Sequence, residues 1–221
     1  MRAASAIAAI LFLSATSAFA QSPAGVQAAT STPQAPAAGT PAKWLFGAAV
    51  NTYVLPEESN FAQPIIKADR GWLHLETRYN YEARDSGSIW AGVNFSGGDT
   101  VEWAITPMFG GVIGDTDGVA PGYEGSLAWR KLEFYSEGEW VFDAGDSADS
   151  FFYNWSELSW APVEWFRFGL VTERTRLYQT DRDIQRGLLF GGSYKRLNVT
   201  AYVFNPDDAK PRWVLSAGIS F

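Results

Sequence analysis

The chain has 221 residues, of which 47% are hydrophobic, 15% aromatic and 19% charged, with a net charge of −7 and no cysteine. This much apolar surface offsets the entropy of ordering and excludes disorder for most of the chain, and the length suits one domain or two small ones. The acidic balance argues against nucleic acid as a partner, because no basic stripe could neutralise phosphates. The absence of cysteine excludes disulfides, thiolate metal sites and cysteine nucleophiles. After the first twenty residues no apolar run reaches about 18 residues, so helical membrane spans are not expected.

Residues 1–20 have the pattern of a secretory signal peptide. Arg2 supplies the positive charge, Ile7–Leu13 form the apolar segment, and Ala18-Phe19-Ala20 is a small-residue cleavage site. We therefore expect Sec-type export with cleavage near Ala20. Residues 21–42 mix proline with alanine, serine, threonine and glutamine, a composition that predicts a flexible linker outside the fold.

Residues 43–221 are dominated by apolar and polar side chains that alternate with a period of two. Between Leu73 and Tyr81 the odd-numbered residues are Leu, Leu, Thr, Tyr and Tyr, and the even-numbered ones are His, Glu, Arg and Asn. This period is the signature of a strand with one apolar and one wet face. The alternation recurs at 89–95, 131–142, 197–203 and 213–221, and no segment has a convincing 3.6-residue stripe. The sequence predicts an all-β domain over 43–221.

Turn-forming residues divide this domain into about twelve strands. We predict them at 44–54, 61–68, 71–83, 88–95, 100–113, 122–130, 132–143, 150–160, 164–176, 185–195, 197–205 and 211–221. Acidic or Gly/Pro-rich connections alternate with tight turns, which is typical of an antiparallel up-and-down transmembrane β-barrel of the outer membrane. An even strand number then places both termini at the end with the short turns. Ten strands is the alternative if Phe61–Ala68, which contains Pro64, is not a strand.

The last strand, Trp213–Phe221, alternates large apolar residues and ends in phenylalanine. It resembles the assembly signal at the end of Gram-negative outer-membrane β-barrel proteins. The resemblance implies that Ile219 and Phe221 are read by the barrel-assembly machinery and that the protein resides in the outer membrane. It also implies contact with outer-membrane lipid and lipopolysaccharide.

Seven tryptophans fall near the ends of the predicted strands. Trp44, Trp72, Trp129, Trp160 and Trp165 lie near the short turns, and Trp140 and Trp213 lie near the long loops. Indole rings favour membrane interfaces because one edge can hydrogen-bond while the ring lies in hydrocarbon. The alternative is that they fill the core of a soluble β-sandwich, which would need a bulkier second face than this sequence offers.

The charged residues of the polar face are predicted to line the barrel lumen. They are Glu76, Arg78, Glu82, Glu102, Glu124, Arg130, Glu133, Glu137, Glu139, Glu157, Arg167 and Glu173. On the lipid face such charges would cost about 2–4 kcal/mol near the midplane, whereas in the lumen they meet water or one another.

Two functions fit an acidic lumen of this size. The leading hypothesis is a narrow, porin-like passive channel for small polar solutes, mildly selective for cations. The alternative is a closed structural or surface-interaction barrel whose lumen is filled by ion pairs. Small twelve-stranded porins are similar in size, but those for acidic sugars have basic lumens, so that substrate class is not implied here.

A less favoured hypothesis is a hydrolase built on His74, the one histidine of the chain. His74 and Glu76 share a face, but a serine from a neighbouring strand would have to approach them. Residues 115–118, Asp-Thr-Asp-Gly, match part of a calcium loop without its remaining ligands. We therefore expect neither enzymatic activity nor a metal or other cofactor.

Overall fold

The computed structural model describes residues 42–56, 59–145, 150–177 and 183–221, with the backbone alone at 175–177 and 183. The predicted signal peptide, the predicted linker up to residue 41 and parts of three predicted loops lie outside these ranges. Among the described residues, no helix has the length and apolar character that a membrane span requires.

The described chain forms a single antiparallel sheet of thirteen strand segments. They are β1 (Leu45–Val54), β2 (Phe61–Arg70), β3 (Leu73–Tyr79), β4 (Gly87–Val93), β5 (Phe95–Gly97), β6 (Glu102–Ile113), β7 (Gly118–Trp129), β8 (Leu132–Asp143), β9 (Phe151–Val163), β10 (Phe166–Leu177), β11 (Asp183–Tyr194), β12 (Leu197–Phe204) and β13 (Arg212–Ser220). Segments β4 and β5 are parts of one barrel strand, since both pair with β6. Because β1 also pairs with β13, the sheet closes into a barrel of twelve strands, which confirms the predicted number.

The barrel strand made of β4 and β5 is interrupted at Asn94. Pro107, which has no backbone N–H, lies opposite the break between the paired residues of β6. The Asn94 side chain bridges the gap: its Oδ1 accepts a hydrogen bond from Thr106 Oγ1 at 2.7 Å, and its Nδ2 donates to Asp69 Oδ1 at 2.8 Å. A side-chain amide thus replaces ladder hydrogen bonds where the proline prevents them.

The two ends of the domain meet in the closing strand pair. Phe46 and Phe221 exchange two backbone hydrogen bonds of 2.9 Å, and their rings stack with centroids 5.9 Å apart. Phe221 is 59% exposed on the outer surface. The C-terminal residue therefore completes the ring of strands, and its reading by an assembly machinery remains a prediction.

The two ends of the barrel differ as the sequence predicts. At the turn end the connections are short, and Gly71, Arg130 and Lys195 have φ of 59°, 57° and 57°. The connections at the turn end have two residues, except 98–101 with four, whereas those at the loop end have four to seven, namely 55–60, 80–86, 114–117, 144–150, 178–182 and 205–211. Both ends of the domain lie at the turn end, as an even number of strands requires.

The barrel is apolar outside and charged inside. In β3, His74 and Arg78 are 3% and 4% exposed, whereas the intervening Leu75 is 38% exposed. On the outer wall Leu158, Leu170 and Leu188 form a ladder across β9, β10 and β11 and are 38–56% exposed. Alternation of this kind along a closed sheet gives an apolar band suited to hydrocarbon, and closure excludes the β-sandwich alternative.

The third strand ends earlier than the predicted residue 83, because Asn80 and Asp85 adopt left-handed conformations with φ of 56° and 57°. Asn80 N donates to Ser86 O at 2.8 Å, and Asp85 N donates to Asn80 Oδ1 at 2.8 Å. Residues 80–86, here called the inward loop, turn toward the barrel axis. The prediction that Tyr81 continues the outer apolar face is therefore wrong, since Tyr81 reaches Glu137 in the interior.

Trp90 packs flat against Gly110 inside the barrel, where a Cβ on that glycine would lie 2.4 Å from the indole ring. Gly110→Ala should therefore destabilise the barrel by about 1–3 kcal/mol, the usual cost of overpacking a tight interior. The neighbouring Gly111→Ala is the matched control, because its Cβ would meet nothing within 4 Å. Urea unfolding followed by tryptophan fluorescence measures both, and equal stabilities would contradict this packing.

Candidate functional site in the barrel interior

Nine of the twelve predicted lumen residues are buried inside the barrel. They are Glu76, Arg78, Glu82, Glu124, Glu137, Glu139, Glu157, Arg167 and Glu173. The other three lie at the turn end, where Glu133 is half-buried and Glu102 is exposed. Arg130 does not line the interior: it occupies the turn between β7 and β8, with its guanidinium 4.9 Å from the centre of the Trp129 ring. A tight hairpin turn carries that side chain outside the barrel, which corrects its assignment.

Two cations bind carboxylates across the middle of the barrel. Lys67 Nζ lies 2.5 Å from Glu124 Oε1 and 3.5 Å from Glu76 Oε2. Arg78 Nε donates to Glu76 Oε1 at 2.6 Å, and its Nη1 donates to Glu139 Oε2 at 2.8 Å. These bonds join β2 and β3 to β7 and β8, and the side chains are 1–8% exposed. We call Lys67, Glu76, Arg78, Glu124, Glu137 and Glu139 the central cluster.

The inward loop covers the central cluster from the loop end. Tyr81 donates a hydrogen bond to Glu137 Oε1, and Tyr135 donates to Glu137 Oε2 at 2.6 Å. The Arg78 guanidinium lies 4.3 Å from the centre of the Tyr81 ring and 4.6 Å from that of Trp90. Aromatic faces attract cations most strongly where water is excluded, so the loop and the cluster hold each other in place.

His74 lies below the cluster, toward the turn end. Its Nδ1 is 2.9 Å from Asp69 Oδ1, and its Nε2 is 3.2 Å from Glu76 Oε2. Both ring nitrogens therefore face carboxylates, and neither is free to take a proton from a nucleophile. The catalytic histidine of a hydrolase needs one ring nitrogen bound to an acid and the other free to accept a proton. His74 meets the first requirement but not the second.

His74, Glu76 and Glu124 offer ligand atoms that lie within 4.8 Å of one another, a spacing that could hold a metal ion. The Lys67 ammonium contacts both carboxylates of this group. The positive charge that balances these acids is therefore supplied by the chain itself, and the donor set is that of an ion-pair cluster rather than an open metal centre.

One side of the interior is apolar, which the sequence analysis did not predict. Eight buried residues pack there: Tyr53, Tyr135, Trp155, Val171, Leu189, Tyr202, Phe204 and Val214. The Trp155 ring makes edge contacts with Tyr202 and Phe204 at 5.1 and 5.2 Å between centroids. The alternation of the sequence does indicate this apolar surface, because Trp155 lies on the same face of its strand as Glu157, which points into the barrel.

Above the central cluster, an open cavity of about 410 Å³ faces the loop end. Its lining includes Tyr53, Phe61, Gln63, Glu82, Glu173 and Arg212. We call this cavity the vestibule. The rings of Tyr53 and Phe61 stack at 4.6 Å, and Arg212, at the start of the neighbouring strand β13, forms an ion pair with Glu173 of β10. The vestibule thus combines aromatic surface with paired and unpaired polar groups.

The seven predicted interface tryptophans all lie on the outer surface and are 39–67% exposed. Trp103, near the turn end of β6, is an eighth and is 40% exposed. By contrast, Trp90 and Trp155 are 0% and 2% exposed inside the barrel. Contact of the outer tryptophans with a membrane interface remains a prediction.

A closed antiparallel barrel of twelve strands, apolar outside and charged inside, is the architecture of outer-membrane porins. Among solved structures the chain is similar to the KdgM porin, with a TM-score of 0.59 and 13% identity, covering 79% of this chain and 99% of that one. The same porin in complex with disordered oligogalacturonate gives a TM-score of 0.59, 12% identity and the same coverage. OccK5 of Pseudomonas aeruginosa matches with a TM-score of 0.42 and 10% identity, over 80% of this chain and 67% of that one.

No model of a known protein family matches the chain, and no curated protein sequence is significantly similar to it. At 12–13% identity the structural likeness establishes the fold alone, a closed β-barrel similar to that of this porin. Function must be argued from the interior of this chain.

Proposed function

We propose that the protein is a narrow outer-membrane channel for small polar solutes, entered through the vestibule and closed across its middle by the central cluster. The observation that supports this is the composition of the barrier, in which side chains of the wall strands meet as ion pairs and Tyr81 of the inward loop adds a hydrogen bond to Glu137. Ion pairs can exchange partners with water or with a solute without unfolding a strand. Four carboxylates against two cations in the cluster favour the passage of cations.

The outer surface supports the location that this function requires. Its apolar wall suits lipid, and the exposed tryptophans at both ends suit the two interfaces. We propose that the exported chain is inserted by the barrel-assembly machinery through Ile219 and Phe221, and that its loop end meets lipopolysaccharide.

Conductance of the purified, folded protein in planar lipid bilayers tests the channel. We expect small, cation-selective currents from the wild type, with selectivity measured as a reversal potential across a KCl gradient. Glu137→Gln combined with Glu139→Gln should lower that selectivity, because it removes two buried acidic groups from the barrier. Asp207→Asn, in an exposed loop, is the control and should leave selectivity unchanged. Absence of current from both the wild type and the double variant would refute the channel.

A second candidate, a closed structural barrel, is favoured by the burial of the cross-lumen pairs, since Arg78 and Glu139 side chains are each 2% exposed. It predicts that the double variant changes the free energy of unfolding and produces no current. The same set of proteins therefore distinguishes the two functions.

A further inference from the structure

We infer that the vestibule binds small organic cations, with an ammonium or guanidinium group seated beside Glu82 and Gln63. The inference rests on the proposed channel and names its solute class. It is carried by buried acceptor atoms at the vestibule that lack partners, by the charge around them and by the aromatic lining.

Two side chains that line the vestibule each leave one buried oxygen unpaired. Glu82 Oε1 accepts hydrogen bonds from Ser88 Oγ at 2.6 Å and from Trp90 Nε1 at 3.2 Å, whereas its Oε2 has no hydrogen-bond partner among the described residues. Gln63 Nε2 donates to Asn80 O at 2.9 Å, and its Oε1 likewise finds no donor in the described part of the chain. Unpaired buried acceptors are costly, so a ligand that carries N–H donors would be stabilised here.

Glu82 supplies the negative charge nearest to these oxygens. Arg84 also lines the vestibule, but its side chain is exposed, donates to Ser59 O at 3.1 Å and lies 4.7 Å from the centre of the Phe61 ring. The Glu82 side chain is 0% exposed, and its contact with Arg78 is long, at 3.9 Å. Arg78 makes its short bonds to Glu76 and Glu139 instead. Glu139 Oε1 is a further buried oxygen without a hydrogen-bond partner within the described residues. A positive charge on the ligand would balance this excess.

The facing wall of the vestibule is already neutral. Arg212 is paired with Glu173, and the described residues leave its Nε without a hydrogen-bond acceptor. The Arg212 guanidinium also lies 5.7 Å from the centre of the Tyr53 ring. A cation therefore gains at the Glu82 side and meets a compensated pair on the other.

The aromatic lining favours an organic cation over a bare metal ion. Tyr53 and Phe61 stack at 4.6 Å, and Tyr81 and Tyr153 meet edge-on at 5.6 Å. The methylene groups of an organic cation can pack on such rings. The Phe61 and Tyr53 rings already lie 4.7 and 5.7 Å from the guanidiniums of Arg84 and Arg212, so the charged group of the ligand is placed beside Glu82 and not over a ring. A cavity of about 410 Å³ is large enough for a small organic molecule.

Titration calorimetry with putrescine, on the folded protein in detergent micelles, tests the inference. Putrescine should bind, whereas 1,4-butanediol and succinate, which have the same chain length but are neutral and anionic, should not. Glu82→Gln should weaken putrescine binding roughly tenfold or more, since it removes a charge-assisted contact. Glu164→Gln, in a turn at the opposite end of the barrel, is the matched control with unchanged affinity.

Gln63→Leu is a second variant that should weaken putrescine binding, and it keeps the test decisive if Glu82→Gln fails to fold. The heat-dependent gel shift of a folded barrel shows whether each purified variant is folded. The inference is overturned by butanediol or succinate binding as tightly as putrescine, by unchanged affinity in both variants, or by K⁺ competing at equal concentration. Conductance is measured independently. A protein that conducts without binding putrescine refutes the solute class alone, and one that binds without conducting refutes the channel alone.

Discussion

Replacing Arg78 with methionine should lower the free energy of unfolding by about 3–5 kcal/mol, the usual result of removing one partner from a buried ion cluster. The variant leaves Glu76 and Glu139 without the guanidinium that binds them at 2.6 and 2.8 Å. Methionine is similar in length, so the loss reports charge and hydrogen bonding more than packing. Urea unfolding of the protein folded into lipid vesicles, followed by tryptophan fluorescence, measures the change.

An exposed ion pair provides the control. Arg186 binds Asp207 at 3.0 Å, but the two side chains are 74% and 63% exposed. Arg186→Met should therefore cost less than about 1 kcal/mol. Adding Glu76→Gln and Glu139→Gln to Arg78→Met should recover part of the loss, because the uncompensated charges are then removed.

The result also bears on how wet the interior is. Equal, small losses in the two arginine variants would mean that water reaches the central cluster and screens it, as in an open pore. A large loss confined to Arg78 would mean that the cluster is dry in the resting barrel. In that case conduction requires the ion pairs to separate, and the channel should open rarely.

The number of strands, and the facing of side chains within the strands, were predictable because a barrel wall requires strict alternation. Even β2 follows it, although it contains Pro64. The pairing of β2 with β3 begins at Ile65, one residue after Pro64, so the missing N–H of Pro64 removes no hydrogen bond from that strand pair. On the other side of β2, Pro64 lies opposite Val50 of β1 and keeps the register. Alternation assigns a side chain to a face of the sheet, and burial of one face makes the register unambiguous.

The contacts inside the barrel were not predictable, because alternation says nothing about which side chains meet across the lumen. Lys67 and Glu124 are 57 positions apart, and Arg78 and Glu139 are 61 apart. Lys67 was missed although it alternates with Gln63 and Ile65 on the inner face of β2. Its role depends on acids supplied by β3 and β7.

The inward loop was missed for a local reason. Its polar and aromatic residues continue the alternation of β3 up to Tyr81, and the left-handed turn at Asn80 has no periodic signature. Asn at such a position does favour a turn, which is the one signal that could have ended the strand. The inward position of Tyr81 and Glu82 then follows from the closed shape of the barrel and not from their sequence.

Placing arginine at Leu170 should destabilise the barrel in lipid vesicles by about 2–4 kcal/mol, the cost of a charge on the lipid face near the midplane. Leu170 is 56% exposed, lies near the middle of β10 and pairs with Leu158 and Leu188 on either side, so no neighbouring acid can offset the charge.

Leu197→Arg is the matched control for Leu170→Arg. Leu197 is 45% exposed but begins β12 beside the turn at Lys195 and Arg196, where an interfacial arginine should cost only about 0–1 kcal/mol. The difference between the two variants therefore measures depth in the membrane and not the substitution itself. If Leu170→Arg and Leu197→Arg lower the free energy of unfolding equally in vesicles, the outer wall does not face hydrocarbon. The proposal of a membrane channel would then fail, whatever the contacts inside the barrel.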